Sequence, residues 1–303
     1  MPDRMPNTNE ERTRTGAHPL MTEPETTSAA SAETAARPRV TLITGSSRGI
    51  GRVLALKLAS RGEHVVVNYK KNAELADDVV REARELGGGG LAVQADIEEP
   101  DDIDALFEKV RAEYGRLDGF VANAAASAFK PVSALKLHHL DRSWAMNVRS
   151  FVLGAQRASA LMTNGGRIVA VTSYGSLRAF PTYASLGAAK AAVESYVKFM
   201  ATEFGPRNIT VNAVNGGLID TDSLEYFYER VPGMAPMQSV IEKVPLGRPG
   251  TADDMASAVE FLLGAHAGYI TGQTITVDGG LTVVAPPYWA DTSGELRAAV
   301  FGD

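Results

Sequence analysis

RVTLITGSSRGIGRVLALKLASRG, residues 39 to 62, is the stretch on which the fold turns. Its β-branched opening reads as a strand and its close as a helix, and the junction between them carries glycines at 45, 49 and 51. Glycine permits a tight turn there, lets backbone come close to a pyrophosphate and lets the helix pack on the strand. The helix N-terminus adds free N–H groups and the positive end of the helix dipole, which favour a phosphate. A glycine-rich turn alone says little; between a first strand and a first helix it points to a dinucleotide.

Outward from that stretch the pattern repeats. The first run at 39–44 is followed by others at 64–69 (HVVVNY), 91–95 (LAVQA), 117–124 (LDGFVANA), 167–173 (RIVAVTS), 209–214 (ITVNAV) and 274–278 (TITVD). Between them lie segments such as NAELADDVVREARELG and DDIDALFEKVRAEYG, whose apolar residues recur at helical spacing. Near-continuous apolar strands alternating with amphipathic helices predict a parallel sheet covered on both faces. The expected fold is α/β: a doubly wound, seven-stranded, Rossmann-type sheet in a single domain over residues 38–285.

The chain has 303 residues, a formal charge of −6 and no cysteine. A net acidic chain lacks the basic field that nucleic acid or an anionic membrane surface requires, so neither is expected as a partner. Without cysteine there is no disulfide, no thiolate metal site and no thiol nucleophile; no metal is expected, and a reducing cytoplasm suits the composition. Residues 1–37 are rich in Ser, Thr, Glu and Pro and contain no apolar run. They predict a disordered N-terminal extension without a secretory-signal pattern. Residues 286–303 read as a C-terminal tail, and no segment has the apolar length needed to span a bilayer.

The second strand ends Asn68-Tyr69-Lys70-Lys71, with no carboxylate to hold a ribose diol and repel a 2′-phosphate. Arg48, in the glycine turn, adds a cation whose planar fork suits phosphate. These features favour NADPH over NADH, although a lysine pair in a turn equally suits plain solvation.

With these motifs the chain resembles the short-chain dehydrogenase/reductase family over about residues 38–285. TGSSRGIG is similar to the family's cofactor loop, so the resemblance implies cofactor contacts by Gly45, Ser47, Arg48, Gly49, Ile50 and Gly51. It implies further contacts by Asn68 and Lys70, by Asp96 and Ile97 near the adenine, and by Asn123 and Ala124 after the fourth strand. Beyond strand six, Gly217, Ile219 and Thr221 stand in place of the usual Pro-Gly loop, where Gly216 and Gly217 would free the backbone beside the nicotinamide. Asn147, Ser173 and Lys190 match the family's catalytic asparagine, serine and lysine.

The departure lies in YASLGAAK, residues 183–190. The family's tyrosine usually stands four residues before the lysine, and that position here is Leu186, which can donate no proton. Tyr183 stands seven before it. On a helix, seven residues return a side chain to within about 20° of the same face, while shifting it about 4.5 Å further along the axis than a spacing of four does. That spacing, with Tyr174 directly after Ser173, resembles the NADPH-dependent type III enoyl-acyl-carrier-protein reductases. The resemblance implies reduction of a trans-2-enoyl thioester, with Tyr183 hydrogen-bonding the developing enolate. Lys190 would hold the nicotinamide ribose and make the tyrosine more acidic. Tyr174 is a second donor or a wall of the acyl pocket.

Residues 222–243 form a natural substrate lid, with Tyr226, Phe227, Tyr228, Met234 and Met237 offering apolar area for an acyl group or serving as ordinary core. Arg230, Lys243 and Arg248 are candidates to meet an acidic acyl carrier protein. Tyr196, Val197, Met200 and Phe204 suit either a buried interface in a homodimer or homotetramer or burial against the sheet. Two other readings stand beside enoyl reduction: an ordinary carbonyl reductase, 3-oxoacyl reductase or alcohol dehydrogenase, and a non-catalytic NADP-binding sensor or scaffold.

Overall fold

The computed structural model describes residues 37–231 and 234–283. The expectations for the N-terminal extension, apart from Arg37, and for the C-terminal tail lie outside the described residues. Seven parallel strands form one sheet in the order β3-β2-β1-β4-β5-β6-β7. They are β1 (Val40–Ile43), β2 (His64–Tyr69), β3 (Gly89–Gln94), β4 (Gly119–Ala122), β5 (Gly166–Ser173), β6 (Ile209–Gly216) and β7 (Thr274–Val277). The chain winds outward from β1 to β3, then crosses back to place β4 on the other side of β1. This reversal opens a crevice at the carboxyl ends of β1 and β4, where a doubly wound sheet receives its ligand.

Strand period sorts the apolar residues to the two faces. Along β2, Val65 and Val67 face one core and Val66 the other, and all three are fully buried. The first core is completed by helices α1 (Gly49–Ala59), α2 (Ala73–Glu85) and α9 (Ala252–Leu263). The second is completed by α3 (Pro100–Tyr114), α5 (Ser150–Leu161) and α6 (Ala184–Phe204). Helices α4 (Leu137–Trp144), α7 (Asp222–Arg230) and α8 (Met237–Ile241) belong to the connections at the carboxyl edge.

The strand boundaries shift slightly from expectation. β3 begins two residues earlier, at Gly89, whose backbone pairs with His64 of β2; a Cβ there would lie 2.5 Å from the His64 ring, so only glycine fits. Among the described residues no helix is long and apolar enough to cross a membrane.

Candidate active site

At the end of β1 the backbone enters the left-handed region twice, at Gly45 (φ +63°) and Gly49 (φ +57°). Gly45 also needs the space: a Cβ would lie 2.8 Å from that of Ala124. A Cβ on Gly51 would meet the Gly45 carbonyl oxygen and the Ser46 backbone at 2.8 Å, so the first turn of α1 rests directly on the loop. Two asparagines brace this turn. Asn123 donates through Nδ2 to the carbonyls of Thr44 (2.9 Å) and Gly45 (3.1 Å), and the Asn123 and Ala124 amides donate to Thr44 Oγ1. Asn68 is buried; its Oδ1 accepts from the Gly45 amide (3.2 Å) and its Nδ2 donates to the Ala95 carbonyl (3.1 Å). The side-chain bonds of both amides therefore hold the loop's shape.

Around that turn, Arg48 is exposed and lies 3.4 Å from Asp222 at the start of α7, across the cleft. Lys70 is held by Asp96 (2.6 Å) and Glu98 (3.2 Å), so its charge is met within the chain. Ile97 packs in the core and leaves only its backbone for a ligand. Thr221 is the N-cap residue of α7. Gly216 and Gly217 lack a positive φ, and a Cβ on Gly217 would lie 2.5 Å from that of Asp278. Close packing, of Gly217 on the end of β7 and of Gly216 on Met255 and Ile219, rather than the expected freedom of the loop, explains that pair.

The second cluster forms where β5 ends. The expectation of a tyrosine inside the helix is corrected by one residue: α6 begins at Ala184 and Tyr183 is its N-cap residue, with φ −92° and ψ −1°. Those angles are close to helical, so the ring still leaves on the face that Lys190 occupies two turns later. Just before it, Thr182 holds φ +65°, an uncommon conformation for a β-branched residue. The Tyr183 hydroxyl lies 2.8 Å from Ser173 Oγ. Lys190 is buried and donates to the Val171 carbonyl at 2.8 Å. Leu186 lines the cavity beside Tyr183 without offering a polar atom.

Glycine again makes the room. A Cβ on Gly175 would strike the Tyr183 ring at 2.4 Å, and one on Gly187 would lie 2.5 Å from the Gly175 carbonyl oxygen. The ring therefore lies against bare backbone. Burial pushes the Tyr183 hydroxyl above its ordinary pKa, and the Ser173 hydrogen bond only partly opposes this. The expectation that Lys190 acidifies the tyrosine is corrected accordingly; the phenol is kept protonated and is a donor. Burial also lowers Lys190 to about 8, with the Glu194 charge opposing the fall.

Glu194, one turn beyond Lys190, carries no signal in the sequence beyond that spacing. Its Oε1 accepts from Thr172 Oγ1, Ser176 Oγ and Asn215 Nδ2, each at 2.7 Å. The carboxylate thereby ties the ends of β5 and β6 to the turn after Ser173. Asn147 sits in a π-helical turn, Ala145–Arg149, between α4 and α5. Its Nδ2 donates to the carbonyls of Ala126 and Ser143, both at 2.9 Å, while its buried Oδ1 has no partner. Taking the carbonyl of the residue four earlier into a side-chain bond suits a widened turn, as π-bulges at functional sites do.

Above Tyr183 opens a cavity of about 1030 Å³. Phe129 stacks on the Tyr183 ring at 5.6 Å, Phe180 lies 4.3 Å from it, and Phe227 of α7 meets it edge-on at 5.5 Å. Phe129 and Phe180 lie in irregular connections and were not singled out by any periodicity. Tyr174 lines the cavity and pairs with Phe180 at 6.0 Å. From the expected lid, Tyr226, Phe227, Tyr228 and Met234 line the cavity, and Met237 does not. Arg248 is bound by Asp254 at 2.7 and 3.0 Å, and Arg230 lies over the Tyr226 ring at 5.0 Å. Both stay exposed, as does Lys243. Val197, Met200 and Phe204 are buried in the chain's own core, which leaves Tyr196 as the one exposed member of that expected interface.

The cleft fits a dinucleotide. The first turn of α1 has no capping side chain on its N–H groups. The Lys190 ammonium has three protons, and its hydrogen bond to Val171 uses one. A sequence-family profile described as Enoyl-(Acyl carrier protein) reductase matches residues 45–282. The chain is 63% identical over 265 residues to the 1-cyclohexenylcarbonyl-CoA reductase of Streptomyces collinus, covering 88% of this chain and 94% of that one. It is 36% identical to a 3-oxoacyl-[acyl-carrier-protein] reductase of Synechocystis sp., covering 82% and 99%. A short-chain dehydrogenase from Burkholderia cenocepacia, solved in complex with NADP, superposes with a TM-score of 0.74 at 33% identity, over 80% of this chain and 98% of that one.

Proposed function

The chain belongs to the short-chain dehydrogenase/reductase family and is an NAD(P)-dependent oxidoreductase, and from that premise we propose that it reduces the carbon–carbon double bond of a 2-enoyl thioester with NADPH. The observation that carries the reading is the 2.8 Å pairing of Tyr183 with Ser173 in a site whose usual tyrosine position is Leu186. It is supported by the name of the Streptomyces relative, an enoyl-thioester reductase by its wording.

In this reading the glycine turn from Gly45 to Gly51, with Ser47, Arg48 and Ile50, receives the diphosphate and 2′-phosphate, while Lys190 holds the nicotinamide ribose. Gly217, Ile219 and Thr221 border the carboxamide. NADPH, when bound, supplies the hydride that adds to the β-carbon. The residues of the chain act on the charge that then develops at the thioester oxygen. Tyr183, kept protonated by burial, donates a hydrogen bond to that oxygen, where a preorganised donor lowers the barrier most. Ser173 orients the phenol. Lys190 would supply a positive charge beside the ribose, and Asn147 holds the widened turn between α4 and α5. The α-carbon then takes a proton from solvent at the cavity mouth, the thioester carbonyl re-forms and the saturated thioester leaves. The frame of Phe129, Phe180 and Phe227 gives the cavity an apolar lining that suits a flat, apolar acyl group.

The test is NADPH oxidation on matched 2-enoyl and 3-oxoacyl thioesters, with NADH run alongside. The enoyl substrate is expected to turn over much faster, and with NADPH only. Rapid reduction of the 3-oxoacyl thioester with no turnover of the enoyl partner would overturn the proposal in favour of the carbonyl-reducing alternative.

A further inference from the structure

The segment between β4 and α5 carries a charge pattern that the reaction does not use. Phe129 packs on Tyr183 inside the cavity, and the next residue, Lys130, is exposed. The Lys130 amide donates to the Thr182 carbonyl at 3.0 Å, so this segment is pinned to the residue before Tyr183. Lys136, six residues on, is also exposed, and its amide donates to His139 Nδ1 at 3.1 Å. His138 and His139 line the cavity, their rings 4.0 Å apart. Partial burial and the nearby His138, Lys130 and Lys136 lower the His139 pKa, so its ring is a neutral neighbour of the two lysine charges. Arg142, on the same rim, is bound by Glu98. Lys130, Lys136, His138 and His139 form no salt bridge among the described residues.

Like charges gathered without counter-ions repel one another, and an anionic ligand relieves that repulsion. A thioester whose acyl group lies against Tyr183 must send its pantetheine arm out through the mouth of this cavity. That arm ends either in the diphosphate and 3′-phosphate of coenzyme A or in one phosphodiester on an acidic carrier protein. The opposite rim separates the two. α7 presents Glu225 and Glu229 to solvent beside Asp222, which is paired with Arg48, and its Arg230 lies over Tyr226. A carrier protein broad enough to cover the mouth would meet those carboxylates, whereas a compact polyphosphate needs only the basic side.

We propose, building on the enoyl-thioester reading, that Lys130 and Lys136, backed by His138 and His139, form a phosphate-binding rim that selects coenzyme A thioesters over acyl-carrier-protein thioesters. The rim acts on binding, so it sets KM and leaves the chemical step alone.

The experiment measures kcat and KM, at saturating NADPH, for one enoyl group on coenzyme A, on acyl carrier protein and on N-acetylcysteamine, which has no phosphate. Wild type is compared with Lys130→Gln/Lys136→Gln. The double variant is expected to raise KM for the coenzyme A thioester about tenfold, with kcat and the N-acetylcysteamine KM little changed. In wild type the gap between these two substrates is expected to narrow with added salt. An unchanged coenzyme A KM, an equal rise on both small thioesters, or a selective rise on the acyl-carrier-protein thioester would each overturn the proposal. Calorimetric titration with free coenzyme A, in the presence of saturating NADP⁺ to fill the dinucleotide cleft, reads the rim without turnover. Wild type should bind about tenfold more tightly than the variant. If no thioester is reduced, the enoyl reading fails and this titration still decides the rim; equal binding by both proteins sinks it.

Discussion

On the cofactor side of the cleft, between β1 and β4, backbone sets the geometry: Gly45 and Gly49 in the left-handed region, Gly51 against the loop, Asn68 and Asn123 bonding main-chain groups. On the substrate side, side chains set it. Tyr183 stands among Phe129, Phe180 and Phe227, drawn from three separate connections, and His138, His139 and Arg142 line the same cavity. A backbone site is written in glycines and recurs wherever the same cofactor is bound. A side-chain site can move its phenol by three positions along the chain and still present it to Ser173. The difference teaches that this protein kept the common half of its fold and rebuilt the other half around one displaced tyrosine.

The largest effect should come from the substrate side. Tyr183→Phe is expected to lower kcat about 10²- to 10³-fold, the usual loss for one oxyanion donor, with NADPH affinity by fluorescence titration unchanged. Adding Leu186→Tyr to that variant should not restore turnover, because the aromatic frame is built around residue 183. Restored activity would dissolve the contrast between the two halves.

Lys190→Met probes the point where the halves meet. Burial holds the folded-state pKa near 8 against 10.5 for a free lysine. The unfolded chain therefore binds the extra proton between these values, and stability rises with pH across that window. Below pH 8 the buried charge destabilises the fold by up to about 3 kcal/mol, which Met removes. Denaturant melts should show the variant more stable at pH 7 and the advantage shrinking as pH approaches 10.5. Activity should be lost throughout.

On the cofactor side, Gly51→Ala is expected to cost about 1–3 kcal/mol through overpacking against the loop, and to weaken NADPH binding. Gly49→Ala, where a Cβ meets nothing within 4 Å, should cost only the strain of a positive φ, about 1 kcal/mol. Thermal melts of the pair separate space from conformation; equal losses would show that close packing is not what defines this half.

The smallest effect is expected from Glu194→Gln, which keeps the shape of the brace and removes its charge. Turnover should fall about tenfold or less as neutral bonds replace charge-assisted ones. Since the Glu194 charge supports the Lys190 pKa, that pKa should drop further, and the alkaline limb of the pH–rate profile should move to lower pH. An unmoved limb would make Glu194 a plain scaffold.

The strands, the glycine turn and Tyr183 as a candidate donor were legible in the sequence to different degrees, whereas the strand order and the Tyr183–Ser173 pairing came from the structure. The strands and the turn were read nearly to the residue, since period and glycine placement are local signals. β3 began early because the glycines at 89 and 90 pair with His64 and Val65 of the neighbouring strand, a partner no local pattern reveals. Tyr183 was legible as a candidate through its spacing from Lys190, but not its helix-cap position or its raised pKa, both of which follow from what packs around it. Glu194, Phe129 and Phe180 left no pattern to read, because each acts through contacts with residues far along the chain.

By itself, then, the order of residues determined a doubly wound sheet, a phosphate-receiving turn and a tyrosine out of its usual place, since each is expressed within a dozen neighbouring residues. Tertiary structure alone decided that the tyrosine is buried in an aromatic frame, that Arg248 is paired with Asp254, and that Glu194 ties the ends of β5 and β6 together. Burial and charge balance are sums over neighbours in space, and a chain acquires those neighbours only when it folds.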